Sequence, residues 1–383
     1  MQKFFEESFK SVVKIVEQTF PFQFKKELDS FLKLAKNWGQ RLNNIQSDAD
    51  FFLFLEKFLA SFKNSHTKLG NYPTKNFFKP LGYVVEYDDK HFFLFKNEKL
   101  IGKILTIDAN KPDKILKYHL SRIAGSTKQY RLRQALQFIL TSSRAESAKV
   151  VLIKNNKKFE LILLRQLTVP FKQSRVVAKI INQKIGYLKI PNWNQQEITG
   201  QLIDKKLAWF NRKQIKVLII DFRGNYGGDS RLAKGLAGHF FNRPVSFGIV
   251  KQRLKSDSLR LKKNQLTVEP QLPYYPWPII LLTDAGCFSS NEYFIAGLKD
   301  NERAFMIGET TGGGSGNPKK FIIPFKDASF ELWVSTLRYF RPCGLALEGK
   351  GIKPNLIIKS TFTDIRSRKD VVLKAATKRS IVC

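Results

Sequence analysis

Three short segments combine an apolar strand pattern with a turn or helix start that can carry chemistry. Residues 218–228 end in Arg-Gly-Asn-Tyr-Gly-Gly, residues 279–292 place Ser289 after an apolar run, and residues 308–316 lead into a glycine-rich loop. Glycines after a strand let backbone N–H groups point at an oxyanion or a phosphate equally well. A serine at a helix start exposes its hydroxyl where the helix stabilises negative charge. Taken alone, such a serine is more often a plain N-cap.

The order of these segments resembles a known family. The strand and glycine turn at 218–228, the serine segment at 287–292, the stretch 301–310 and the Glu-Gly-Lys-Gly-Ile-Lys-Pro-Asn run at 348–355 follow one another in register. Four segments in the right order over roughly 140 residues are a far more specific signal than one motif. The sequence is similar to the tail-specific, C-terminal-processing and tricorn-core serine peptidases. This resemblance implies that Ser289 is the nucleophile of a serine peptidase.

The family activates its serine in two ways, and the residues of this chain distinguish between them. In the Ser-Lys branch the lysine falls in the loop after the Gly-Glu-Thr strand, where this chain has Gly314. Lys319 and Lys320 lie beyond it. Either lysine could be the base only if the alignment of this loop with the family were shifted by five residues. In the tricorn-like branch an early histidine is the base, supported by a late glutamate that corresponds to Glu348. The resemblance therefore favours a histidine base.

Four histidines are available for that role. The segment 64–69, with His66 followed by threonine, resembles the family's early His-Thr segment and makes His66 the candidate base. We expect His119 to be structural, because it lies on an apparent amphipathic helix. His91 begins a strand and His239 sits among apolar residues, so both are interpreted as packing positions.

The resemblance implies an acyl-enzyme mechanism that needs no metal and no cofactor. An imidazole with a pKa near 6.5 can remove the serine proton during attack and return it to the leaving amine. A carboxylate orients that imidazole, either directly or through a hydroxyl. The implied residues are Ser289 as nucleophile, His66 as base, Glu348 as supporting carboxylate, and the backbone N–H groups of Ser290 and of Gly227 or Gly228 as the oxyanion hole.

Two other acidic residues lie on the helix that Ser289 opens. Glu292 follows the serine by three positions and Asp300 by eleven. At those distances we expect both to project away from the nucleophile. Helix capping, or a buried pair with Arg223 or Arg303, is the interpretation for them.

The elements around these residues predict three units. Apolar periodicity over residues 2–20 and 51–62 indicates a helical unit over residues 1–70, and short strands framing helices indicate a separate domain over 71–170. Alternating strands and helices predict an α/β core over 171–383. The resemblance implies a crotonase-like spiral core of the ClpP/crotonase type and a PDZ-like inserted domain.

Composition sets further bounds on function. The 383 residues include 66 Lys and Arg against 32 Asp and Glu, a formal charge of +34 spread along the whole chain. The three cysteines form no C-x-x-C pair, so neither a disulfide framework nor a zinc site is indicated. No membrane-spanning stretch is predicted. The start lacks a secretory signal, which predicts a cytoplasmic protein if residue 1 is the natural start and an exported one if a signal was removed.

Three functional classes follow. The first is a serine endopeptidase acting on protein or peptide substrates, and the second is a noncatalytic ligand- or peptide-binding protein on the same scaffold. A missing histidine, or a glutamate turned away from it, favours the second class. The third class binds anions or nucleic acid through the positive charge, but the lysine-rich run 251–263 contains no interleaved aromatic residues. We therefore expect no specific nucleic-acid partner; the oligomeric state stays open.

Overall fold

Four β-sheets and the helices packed on them make up the part of the chain that the computed structural model describes, residues 2–75, 77–97, 99–143, 146–167, 175–182, 184–196, 198–254, 259–367 and 369–380. The helices are α1 (Gln2–Thr19), α2 (Lys25–Gly39), α3 (Asp48–Ser61), α4 (Pro112–Arg122), α5 (Lys128–Phe138), α6 (Gly200–Arg212), α7 (Ser230–Gly238), α8 (Ser290–Asp300), α9 (Phe362–Arg366) and α10 (Val371–Ser380), with a short 3₁₀ helix at Leu42–Asn44. Within these ranges, none of the helices has the length and apolar character needed to span a bilayer.

The strands follow the chain from the end of the helical unit to the last core strand. They are β1 (Lys68–Leu69), β2 (Phe78–Pro80), β3 (Tyr83–Tyr87), β4 (Phe92–Lys96), β5 (Lys99–Ile107), β6 (Ser147–Lys154), β7 (Lys157–Leu167), β8 (Val177–Ile181), β9 (Ile185–Lys189), β10 (Val217–Asp221), β11 (Val245–Arg253), β12 (Leu261–Val268), β13 (Ile279–Thr283), β14 (Ala304–Gly308), β15 (Lys319–Phe325), β16 (Ala328–Val334), β17 (Leu337–Phe340) and β18 (Leu356–Ile357).

The N-terminal helices bury a phenylalanine-rich core. Phe5, Phe51 and Phe58 are fully buried, and α1 and α3 bring them together at helical spacing. Helix α3 begins where the Ser47 hydroxyl accepts from the Asp50 amide at 3.1 Å. Helices α1 and α3 agree with the predicted apolar faces, and α2 is an element that the sequence analysis did not predict. The sheet β1-β16-β15 closes this core from the other side.

The inserted unit is an antiparallel sheet of order β2-β7-β6-β5-β4-β3 with α4 and α5 packed on it. Leu94, Val150 and Leu152 are fully buried at its centre. The predicted boundary between residues 170 and 171 lies outside the described residues. The strands and helices expected here are all present.

The C-terminal half of the chain is built on a six-stranded sheet of order β18-β14-β13-β10-β9-β8, in which only β8 runs antiparallel. Every residue of β10 and β13 is buried, as in a sheet covered on both faces. This alternation of strands and helices confirms the predicted α/β class. Because β10 and β13 are parallel neighbours, Asp221 and Thr283 end at the same edge, and both chemistry-bearing turns begin there.

A two-residue strand carries the early segment to this edge. In β1, Lys68 pairs with Trp333 and Leu69 with Leu332 of β16. This antiparallel pairing joins the N-terminal unit to the hairpin β15–β16. It therefore brings residues just before β1, including His66, next to the core.

Candidate active site

Ser289 lies in the tight turn between β13 and α8. Its φ of 59° and ψ of −131° are unusual for a residue with a Cβ and store strain at this position. The turn is held by a capping box, in which the Glu292 carboxylate accepts from the Ser289 amide at 3.2 Å. A Cβ on Gly227 would lie 2.8 Å from the Ser289 Cβ, so the two loops meet only because residue 227 is glycine. The fold thus holds the hydroxyl at the N-terminus of α8.

His66 is the side chain that reaches this hydroxyl. Its Nε2 lies 3.2 Å from Ser289 Oγ, although 223 residues separate them in the chain. The ring stacks on Phe288 with centroids 4.8 Å apart. Burial, and then the positive charge of Lys68, lower the pKa of His66 to about 3. The imidazole is therefore neutral in the resting site, the form that can accept a proton.

Glu348 lies behind the histidine and contacts it only through the neighbouring residue. Its Oε1 accepts from the Ser65 amide at 3.2 Å and from the Ser65 hydroxyl at 3.3 Å, and its Oε2 accepts from the Ser315 amide at 2.6 Å. Burial raises the pKa of Glu348, and these hydrogen bonds oppose the shift. Among the described residues, Nδ1 of His66 has no hydrogen-bond partner.

Two serines complete this network, and the sequence analysis missed both. The Ser126 amide donates to Ser65 Oγ at 3.0 Å, and the Ser126 hydroxyl donates to the Gly313 carbonyl at 2.7 Å. Ser65 directly precedes the candidate base, which is a signal that could have drawn attention to it. Ser126 comes from the inserted unit, and no local pattern connects it to the site.

Backbone amides of two loops face the region beside Ser289. The Gly227 amide donates to Asn225 Oδ1 at 2.9 Å, so its hydrogen is already engaged. The amides of Gly228 and Ser290 donate to no group among the described residues. Gly228 has a φ of 139° and packs so closely on the Trp193 backbone that a Cβ would lie 2.5 Å from its carbonyl oxygen. These two free N–H groups are positioned as donors for an anion.

Comparisons with known proteins agree with this geometry. The family model described as peptidase family S41 matches residues 184–358, from just before β9 to just after β18. Within the match lie Ser289, Glu348 and the glycine turn, whereas His66 comes from outside it. The resemblance to serine-type peptidases that the motifs predicted is thereby confirmed.

Individual relatives that the chain matches are carboxy-terminal processing proteases. CtpB of Bacillus subtilis (strain 168) is 26% identical over 181 residues, covering 47% of this chain and 35% of the relative. The carboxy-terminal-processing protease of Bartonella bacilliformis is 28% identical over 203 residues, covering 52% of this chain and 44% of the relative. The chain thus spans less than half of the length of these curated relatives.

Solved structures extend the likeness of the fold to the whole chain. Mature CPAF complexed with lactacystin has a TM-score of 0.82 at 14% identity, covering 100% of this chain and 98% of that one. The photosystem II D1 C-terminal processing protease has a TM-score of 0.55 at 16% identity, covering 95% and 96%. At such identities the likeness is one of fold.

The other candidate bases lie away from Ser289. Lys320 pairs with Glu331 at 3.4 Å, and Lys319 lies over the ring of Phe321. Neither lysine contacts Ser289 among the described residues. The alternative in which Lys319 or Lys320 is the base therefore has no geometric support.

The remaining histidines have structural partners. His119 is buried against Phe138, and burial followed by the nearby Arg122 lowers its pKa to about 4. Nδ1 of His91 lies 3.7 Å from Asp88. His239 contacts the Pro273 carbonyl at 3.0 Å and Asp204 at 3.2 Å. None of the three contacts Ser289 in the described part of the chain.

Glu292 has a second function beside capping, because it ties the serine turn to the glycine loop. Its Oε1 accepts from the Gly313 amide at 2.8 Å and contacts the Thr311 hydroxyl, and its Oε2 accepts from the Gly314 amide at 2.9 Å. Burial raises the pKa of Glu292 to about 8. The predicted capping role is confirmed.

The predicted pairing of these acids with Arg223 or Arg303 is wrong. Asp300 pairs with Arg341, whose Nε lies 3.0 Å from Oδ2. Arg223 instead binds two other aspartates, and Arg303 donates to backbone carbonyls. Tertiary contacts from distant segments decided these partners.

Helix α5 of the inserted unit packs against the loop that carries Ser289. The Tyr130 ring stacks on Phe288 with centroids 4.3 Å apart, and the Thr127 hydroxyl donates to the Gly312 carbonyl at 2.6 Å. Arg133 pairs with Asp284 at 2.9 Å. The inserted unit therefore contributes to the position of the loop that carries the serine.

Proposed function

We propose that the protein is a serine endopeptidase that hydrolyses protein or peptide substrates through an acyl-enzyme at Ser289. The observation that carries the proposal is the 3.2 Å contact between Nε2 of a neutral, buried His66 and Ser289 Oγ. A nucleophile and base within hydrogen-bond reach are the requirement for this chemistry. The S41 match and the names of the relatives support the same reaction class.

The proposed steps use only groups of this chain. His66 Nε2 takes the proton of the Ser289 hydroxyl as Oγ bonds to the scissile carbonyl carbon. The carbonyl oxygen becomes an oxyanion that accepts from the Gly228 and Ser290 amides, each donor contributing about 3–4 kcal/mol in acyl-transfer enzymes. The C–N bond then breaks as His66 returns the proton to the leaving amine. Water repeats the sequence on the ester and releases the acid.

Glu348 stabilises the imidazolium that forms between these steps. Its carboxylate is joined to the backbone and hydroxyl of Ser65, the residue before the base. A negative charge at this place favours protonated His66 and fixes the segment that carries the ring. Ser65 therefore acts as a positioning residue in the proposal.

The domain roles are proposed from the same resemblance. Residues 171–383 form a crotonase-like catalytic core, residues 71–170 a PDZ-like domain, and residues 1–70 the helical unit that supplies His66. A PDZ-like sheet captures a peptide by adding it as a strand to an edge. The contacts of α5 with the serine loop support a close link between such capture and the site.

Active-site labelling tests the proposal. We expect a fluorophosphonate to label Ser289, and Ser289→Ala to abolish both labelling and peptide hydrolysis. His66→Ala should lower turnover by about 10²–10⁴-fold, while the matched Lys319→Ala and Lys320→Ala variants stay active. Because mature CPAF is complexed with lactacystin, that compound serves as a competitor of labelling.

Two outcomes would reverse the assignment. Labelling that survives Ser289→Ala unchanged would exclude Ser289 as the nucleophile. Full activity in His66→Ala, with loss in either lysine variant, would identify a lysine base. A chain that binds peptides but never hydrolyses them would be the noncatalytic binding protein on the same scaffold.

A further inference from the structure

The two backbone amides that face the region beside Ser289 belong to different loops. Gly228 lies in the turn after β10, whereas Ser290 begins α8. One oxyanion can accept from both amides only if the two loops keep a fixed separation. Three fully buried residues with polar groups join these loops: Asn225 in the glycine turn, Trp193 in the segment after β9, and Asn291 in the first turn of α8.

The main chain of Trp193 fixes the direction of the Gly228 amide. The Trp193 amide donates to the Gly227 carbonyl at 2.9 Å, and the Trp193 carbonyl accepts from the Asp229 amide at 2.7 Å. In a planar trans peptide the C=O and N–H groups point in opposite directions. Because the Gly227 carbonyl points at Trp193, the Gly228 amide of the same peptide points away from it. The free donor is therefore held on the side of the turn opposite Trp193.

The side chain of Asn225 fixes the peptide that precedes this one. Its Oδ1 accepts from the Gly227 amide at 2.9 Å, and its Nδ2 donates to the Ile190 carbonyl at 3.0 Å. The main-chain carbonyl of Asn225 accepts from the Phe288 amide at 3.0 Å. Asn225 thus connects the glycine turn to the end of β9 on one side and to the residue before Ser289 on the other.

Asn291 connects Trp193 and Asn225 to the helix that Ser289 opens. Its Oδ1 accepts from the indole Nε1–H of Trp193 at 3.2 Å, and its Nδ2 donates to the Asn225 carbonyl at 3.3 Å. This amide side chain therefore uses its acceptor on one neighbour and a donor on the other. With the two bonds of Gly227 to Asn225 and Trp193, these contacts form a closed ring of buried hydrogen bonds.

We propose that Asn291 and Trp193 are positioning residues of the oxyanion hole. They fix the Gly228 amide relative to the Ser290 amide, and their own side chains do not contact the reacting atoms. Ser290 and Asn291 are neighbours on α8, so the glycine turn can move away from this helix only if the bonds of Asn291 break. A buried hydrogen-bond network whose members are satisfied makes the groups that it joins rigid. The inference deepens the proposed peptidase function and rests on it.

The rate at which a biotin-tagged fluorophosphonate labels Ser289 tests this role, and it requires no knowledge of the cleavage preference. In the labelling step Oγ bonds to phosphorus, fluoride leaves, and His66 takes the proton while the hole stabilises the phosphoryl oxygen. Complete loss of one oxyanion donor costs about 10²–10³-fold in rate, so Asn291→Ala, which displaces a donor, should cost about tenfold to a hundredfold. The loss should lie in the maximal rate, with the affinity for the probe unchanged.

Trp193→Phe breaks the same ring at another bond and keeps an aromatic ring in the core. It should lower the maximal rate less than Asn291→Ala, because the main-chain bonds of residue 193 to the glycine turn remain. If Asn291→Ala does not fold, Trp193→Phe makes the same test. Each variant is measured well below its own unfolding midpoint, so that a loss of stability alone leaves the rate unchanged.

Asn301→Ala is the matched control at the other end of the same helix. Asn301 caps α8, and its Nδ2 donates to the Ser246 carbonyl at 2.8 Å and to the Gly297 carbonyl at 2.6 Å. Its loss should lower the thermal unfolding midpoint and leave the labelling rate of the folded protein at the parental value. A rate loss in Asn301→Ala equal to that in Asn291→Ala would contradict a specific role of the ring.

Asn291→Asp tests the same bonds through a pH profile. A neutral aspartic acid can accept from the Trp193 indole and donate to the Asn225 carbonyl as the amide does, whereas an aspartate can only accept. Burial raises the pKa of a carboxyl group, so the labelling rate relative to the parent should rise as the pH falls from 8 to 5. Division by the parental rate removes the titration of groups that both proteins share, such as Glu292. A relative rate as low as that of Asn291→Ala throughout this range would contradict the proposal.

The outcomes separate this inference from the proposed function. A parent chain that the probe never labels would refute the peptidase function and the inference together. Labelling of the parent at Ser289, with parental rates in Asn291→Ala and Trp193→Phe, would refute the inference and leave the function standing. A loss confined to the affinity for the probe would also overturn the positioning role.

Discussion

Replacing Glu292 by glutamine is a sensitive test of how the serine turn is held. The carboxylate accepts from the amides of Ser289, Gly313 and Gly314 at 3.2, 2.8 and 2.9 Å and contacts the Thr311 hydroxyl. Glutamine has one acceptor oxygen, so its NH₂ group must face one pair of these donors. In its best orientation the NH₂ donates to the Thr311 hydroxyl and leaves the Gly313 amide without an acceptor. At pH 5 Glu292 is the neutral acid, whose hydroxyl group can donate to the Thr311 oxygen while its oxygen still accepts from the Gly313 amide. Glutamine therefore leaves one buried N–H unsatisfied relative to the parent, an expected loss of about 1–3 kcal/mol.

The loss should depend on pH with a defined sign. Burial raises the pKa of Glu292 to about 8 from its ordinary 4.5, so the folded state holds a proton that the unfolded state releases. The stability contributed by protonated Glu292 is complete below pH 4.5 and is lost as pH rises through 8. Glutamine does not titrate. The advantage of the parent over the variant should therefore shrink from pH 5 upwards, by up to about 1.4 kcal/mol per pH unit. Over the range to pH 8 this slope is large enough to cancel the advantage or to make Glu292→Gln the more stable protein.

Urea unfolding at pH 5, 6.5 and 8, followed by indole fluorescence, measures this gap. The matched control is Glu302→Gln, which makes the same change at an exposed position just after the same helix and should leave the midpoint unchanged. Equal midpoints for parent and Glu292→Gln at pH 5 would show that the bridge contributes nothing. A gap that stays constant from pH 5 to 8 would show that Glu292 is ionised in the folded state throughout this range, and the reasoning from burial would fail.

Three further predictions concern the site. Ser65→Ala should lower kcat by about tenfold or more with KM unchanged, because it weakens the link to the supporting carboxylate; a change confined to KM would contradict a positioning role. Gly314→Ala should destabilise the site, since a Cβ would lie 1.9 Å from the Phe288 ring, whereas Gly235→Ala, with open space, should gain up to about 1 kcal/mol; equal thermal midpoints would refute this. Since the pKa of His66 is lowered to about 3, kcat/KM should stay constant as the pH is lowered to 5. A fall in kcat/KM with an apparent pKa near 6.5 would show that His66 titrates like a solvent-exposed imidazole.

Local pattern was enough for the parts of the chain whose chemistry is written in consecutive residues. The apolar run of β13 followed by Ser289, and the run of β10 followed by Gly227 and Gly228, indicated strands that end in loops able to carry chemistry. Hydrophobic periodicity also indicated the α/β core and most helices. The resemblance added His66 and Glu348, which no spacing rule connects to a serine more than fifty residues away from either.

Tertiary structure decided which polar groups meet. The pairing of β1 with β16 brings Ser65 and His66 to the serine turn, and the inserted unit adds Ser126 from a third segment. Sequence predicts an element from the preferences of neighbouring residues, but burial, hydrogen-bond partners and pKa values depend on contacts between residues hundreds of positions apart. Those contacts exist only once the three units have packed together.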